Sequence, residues 1–105
     1  MKIIYQITLP ERMIGETFVE FMRDEYFPAV HKGQTRVGKV TGLSLLSHEG
    51  MNTFFLHVSY TGLATGDVRV DNEEVRKKFE GLYGAHVKRL GTYNEVAAWS
   101  ENHDT

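Results

Sequence analysis

Two runs of β-forming residues, Val37 to Ser47 and Thr53 to Thr61, flank the segment His48-Glu49-Gly50-Met51-Asn52. This feature constrains the fold most. A short glycine-containing loop between two such runs predicts an antiparallel hairpin. The loop then sets the pairing: His57 faces Ser44, Phe55 faces Leu46, and Leu56 faces Leu45. Side chains alternate between faces along a strand. Leu43, Leu45, Phe54, Leu56, Val58 and Tyr60 therefore share one face, which is a core face. Gly42, Ser44, Leu46, His48, Phe55, His57 and Ser59 share the other, which is mixed.

The remaining elements arrange themselves around this hairpin. Ile3, Tyr5, Ile7 and Leu9 alternate with Ile4, Gln6 and Thr8, giving a first strand closed by Pro10. Ile14, Phe18, Phe21, Met22 and Glu25, flanked by Tyr26, step at helical spacing and predict a helix from about Glu11 to Phe27. Pro28 is expected to end it, because a residue before proline is driven out of the helical region. Residues 62–70 read as a loop. Asp71 with Glu74 predicts the start of a second helix. Its stripe is Val75, Phe79, Leu82, His86 and Leu90, weakened by Gly81 and Gly84 and stopped by Gly91. Tyr93 to Ser100 predicts a last strand, and Glu101 to Thr105 a frayed tail.

The order is β-α-β-β-α-β. The expected fold is an α+β, ferredoxin-like domain: a four-stranded antiparallel sheet with both helices on one face. A chain of 105 residues suits one domain of this kind spanning residues 1–105.

The sheet's second face raises a problem that composition does not remove. It is expected to carry Ile4, Leu46, Phe55, Val96 and Ala98 among Gln6, Thr8, Ser44, His57, Ser59 and Asn94. An exposed apolar patch of roughly a few hundred Å² marks an interface. A second copy laid sheet to sheet would cover it, so dimerisation through this face is expected. The chain has no cysteine, which excludes disulfides, thiolate nucleophiles and cysteine-based zinc sites. No apolar run approaches the roughly 20 residues of a membrane helix. The N-terminal MKIIYQITLPERM does not read as a signal peptide, so a cytoplasmic location is expected.

The element order, the length, the segment Phe27-Pro28-Ala29-Val30 and the ending YGAHVKRLGTYNEVAAW resemble the dimeric α+β barrel superfamily. That group includes antibiotic-biosynthesis-type monooxygenases, haem-degrading monooxygenases and stress-responsive barrel proteins. The resemblance implies a homodimer with a small-molecule cavity between sheet and helices in each subunit. It does not imply one reaction. In the haem-degrading members a helix histidine binds iron, which implies His86 as a ligand or acid–base group. Those proteins pair it with a strand-one asparagine and a deep tryptophan. Here strand one carries Gln6, and the single tryptophan is Trp99 on the expected last strand. No cofactor or metal is expected. In cofactor-independent oxygenases of the group, asparagine, tryptophan and tyrosine act on a phenolic substrate, and Asn94, Trp99 and Tyr83 supply those types.

Histidine suits proton transfer near neutrality. His57 and His86 are the catalytic candidates, and each has a plainer reading. His57 is equally an interface histidine satisfied by Ser44, and His86 a core-edge histidine bonded to a neighbour. Gln6, Ser44, Phe55, Tyr83 and Trp99 are the candidate ligand contacts. Arg36 joins them through the acid-free stretch between Glu25 and Glu49, where His31, Lys32, Arg36 and Lys39 cluster near Gly33 and Gly38. Such a cluster holds an anion, or it complements the end of the first helix and forms ion pairs.

The same element order occurs in RNA-recognition domains. Strand three, MNTFFLHVSYTG, lacks their basic-glycine-aromatic start, and the net charge is −2. Neither nucleic acid nor membrane is expected as a partner. The reading is a homodimeric small-molecule-binding protein, either a cofactor-independent monooxygenase-like or isomerase-like enzyme, or a non-catalytic binding module.

Overall fold

The structure, a computed structural model, describes residues 1–10, 15–32, 38–49, 52–62, 70 and 72–101. Strand β1 spans Lys2–Thr8, β2 Gly38–Ser47, β3 Thr53–Gly62 and β4 Val87–Tyr93. They form one sheet in the order β2-β3-β1-β4, with every pairing antiparallel. Two helical runs pack on one face. The first comprises α1, Gly15–Phe21, a π-helical turn, Met22–Tyr26, and α2, Phe27–Lys32. The second is α3, Glu73–Leu82. This α+β architecture is compatible with the ferredoxin-like fold.

The hairpin pairs as its alternation requires, with Ser44 opposite His57, Leu45 opposite Leu56 and Leu46 opposite Phe55. The register slips once, between Val40 and Gly42. A bulge there lets Val40 join the core side opposite Tyr60. Ile3, Tyr5 and Ile7 of β1 point to the same buried face as Phe54, Leu56, Val58 and Tyr60 of β3.

An aromatic cluster ties the helices to this face. Phe18 lies 4.9 Å from Phe54 and 4.7 Å from Tyr83, ring centre to ring centre. Tyr26 lies 4.6 Å from Phe79. Such pairs add to the area they bury.

Pro28 does not end the first helix. The run continues to Lys32 because Ala29 and Val30 are buried in the core. The π turn makes this possible. Phe27 N–H donates to the Met22 carbonyl, five residues back. The widened turn relieves the crowding that a proline ring meets in a regular helix. It also changes the phase. Glu25, expected on the inner stripe, is exposed, and Tyr26 is buried instead.

The second half of the chain departs further from expectation. Asn72, not Asp71, caps α3, its side-chain oxygen accepting from Val75 N–H. Asp71 lies outside the described residues, as do Ile14 and Arg36. The helix stops at Leu82, where Tyr83 turns into the aromatic cluster and Gly84 follows. His86 therefore sits in a short 3₁₀ turn, Gly84–His86, and not on a helix. Leu90 and Gly91 belong to β4, which fills the free edge of β1. Backbone pairing along a full strand outweighs the helical spacing of Leu82, His86 and Leu90. Gly91 is not a helix stop: with φ 145° it lies at a register slip against Ile4 and Tyr5, where only glycine is unstrained. Residues 94–100 form no strand, so Val96, Ala98 and Trp99 do not join the mixed face. Val96 and Trp99 are 94% and 82% exposed.

Candidate ligand-binding cavity

Between α3, the π turn and the covered face of the sheet lies a cavity of about 400 Å³. Its size falls in the range of small-molecule sites. Ile7 and Leu56 supply apolar floor, and Val70, Phe79 and Val87 apolar wall. Tyr5 and Tyr26, both buried, add two phenols. Arg76, Glu80 and Arg89 bring the charge, and all three are exposed.

Each of these side chains arrives for a local reason. Arg76, Phe79 and Glu80 are three and four residues apart on α3, so they share one side of that helix. Arg89 pairs with Tyr5 across the β4–β1 ladder, and Val87 with Ile7, so all four face the helices. Tyr26 reaches the cavity because the π turn rotates it inward. Arg89 Nη2 donates to Thr92 Oγ1 at 3.2 Å. Arg76 stands 3.9 Å from the Glu73 carboxylate, too far for a hydrogen bond.

The residues singled out from the sequence lie elsewhere. Gln6, Ser44, Phe55 and His57 come together on the open face of the sheet: Gln6 pairs with Phe55, Ser44 with His57. Burial, and the nearby charge of Lys2, lower the His57 pKa below its ordinary value. Tyr83 is buried in the aromatic cluster, and that burial raises its hydroxyl pKa above its ordinary value. His86 is exposed in its 3₁₀ turn, and Trp99 is exposed beyond β4. None of these lines the cavity. Of the basic cluster, His31 and Lys39 line a separate, shallower hollow of about 470 Å³ between α2 and β2, with Phe27 and Leu43.

The sequence conceals Arg89 as a cavity residue because the helical spacing of Leu82, His86 and Leu90 places it at a helix end. The available signal was the alternation Val87, Arg89, ending in Gly91-Thr92-Tyr93, which reads as strand.

Among the described residues, no group of three or more acidic or histidine side chains is placed to hold a metal, and no helix is long and apolar enough to cross a membrane. No protein-family model, curated protein or solved structure matches the chain.

Proposed function

We propose that the protein is a homodimer that binds a small organic molecule in the helix–sheet cavity of each subunit, as the dimeric α+β barrel proteins do. The cavity carries this reading. It combines buried apolar floor with a few convergent polar groups, the usual make-up of a ligand site. The dimer is supported by the open face, where Leu46 is 50% exposed beside Phe55, with Ile4 on the same face two strands away. The exposed Val96 and Trp99 beyond β4 add apolar surface that a partner copy would cover. His57, Gln6, Ser44 and Phe55 are then interface residues and not ligand contacts.

The catalytic form of the reading, a cofactor-independent monooxygenase-like or isomerase-like enzyme, assigns proton transfer to groups in the cavity. Those are Tyr5, Tyr26 and Glu80. Sedimentation equilibrium near neutral pH, with a thermal-shift screen on the same sample, tests the proposal. A dimer stabilised by a cavity-sized ring compound supports it, and a stable monomer that no such compound stabilises overturns it. If turnover is found, Tyr26→Phe or Glu80→Gln would reduce it, whereas His57→Ala and His86→Ala would leave it near the parent value.

A further inference from the structure

The cavity is chemically graded from floor to rim. Ile7 and Leu56, 0% and 2% exposed, lie at its floor. The rings of Tyr26 and Phe79, 4.6 Å apart, form one wall. Aromatic walls of this kind favour a planar ring over a flexible chain, because ring pairs gain beyond their buried area. At the rim stand two guanidinium groups from different elements, Arg76 of α3 and Arg89 of β4. Neither strand nor helix alone would bring them together. The Thr92 hydroxyl holds Arg89 on the helix side of the sheet. Among the described residues Glu80 is the carboxylate of the lining, and the Glu73 carboxylate stands 3.9 Å from Arg76. Guanidinium groups match the planar fork of a carboxylate.

Resting on the binding function proposed above, we propose that the ligand is a ring-bearing carboxylate. Its ring lies over Leu56 between Tyr5, Tyr26 and Phe79, and its carboxylate meets Arg76 and Arg89.

The test is a calorimetric and thermal-shift titration with benzoate and 2-naphthoate, each against its neutral amide. The parent is compared with Arg76→Gln, Arg89→Gln and a control, Lys88→Gln, which lies opposite Gln6 on the open face of the sheet and outside the cavity. The carboxylates are expected to bind about tenfold or more tightly than the amides, the scale of a charge-assisted hydrogen bond. Each arginine variant should lose most of that preference while amide binding stays unchanged, and Lys88→Gln should behave as the parent. Arg89→Lys, which keeps the charge without the fork, should fall between. If amides bind as well as carboxylates, or the arginine variants keep the preference, the carboxylate assignment is wrong and the cavity remains a neutral-ligand site. If neither carboxylates nor amides bind, the cavity reading falls with it.

Discussion

On β3, Leu56 and Val58 face the helices and are buried, while Phe55 and His57, their direct neighbours, lie on the opposite face and keep part of their surface exposed. One strand thus supplies two surfaces with different tasks. The covered face is almost wholly apolar and is held by aromatic contacts to both helical runs. The open face mixes Ile4, Leu46 and Phe55 with Gln6, Ser44 and His57. A monomer needs the first surface to fold. It has no use for the apolar members of the second, which therefore point to association.

Substitutions one residue apart should separate the two. Leu56→Ala removes a fully buried side chain and should cost about 2–5 kcal/mol in urea unfolding. Its effect should not depend on protein concentration. Phe55→Ala should cost less, and its cost should shrink on dilution as dimer gives way to monomer. Equal, concentration-independent losses would break the comparison. On the same open face, Leu46→Lys places a charge within the proposed interface. It should weaken the dimer by about tenfold or more in sedimentation equilibrium, with little change in monomer unfolding.

The hairpin, the two faces and the element order were all legible in the sequence, because alternation in β2 and β3 is strong and a single loop sets the register. The boundaries of the second half were not. Leu82, His86 and Leu90 keep helical spacing, yet long-range pairing with β1 claims Val87 to Tyr93 for the sheet. No local pattern reports the empty edge of a strand some 80 residues away in the chain. The candidate site shared this fate. Tyr5 and Arg89 become neighbours only once β4 is placed, so the histidines drew attention that the geometry gives to arginine and tyrosine. Pro28 misled for a similar reason, since a π turn needs no motif of its own.

Smaller effects sharpen the picture. Asn72→Ala removes the cap of α3 and should cost about 1 kcal/mol, read by urea unfolding. Asn72→Asp should restore most of it. At His57 the sign is fixed by the lowered pKa. The folded protein holds its proton less tightly than the unfolded chain, so this residue contributes a loss of stability as pH falls through and below about 6.5. His57→Gln should flatten that part of the stability profile relative to the parent, most clearly in the dimer. An unchanged slope would rule out His57 as its source. The smallest effect belongs to Lys78, whose Nζ lies 3.1 Å from the Glu25 carboxylate and 5.0 Å from the Phe21 ring centre. Lys78→Met should cost about 1 kcal/mol or less, and the difference should fade in high salt.

The π turn has a consequence for chemistry as well as for shape. A regular helix advances by about 100° per residue. The turn Met22–Tyr26 holds back part of that advance, so the inward-facing residues run Phe18, Phe21 and Met22 before it, then Tyr26, Ala29 and Val30 after it. Glu25 and Tyr26 compete for the same view of the cavity. Regular winding over the same residues would instead turn Glu25 toward the sheet, as its spacing from Phe18 and Met22 requires, and put a carboxylate on the wall. The winding of one turn thereby decides whether this wall offers a phenol or a carboxylate to whatever the cavity holds.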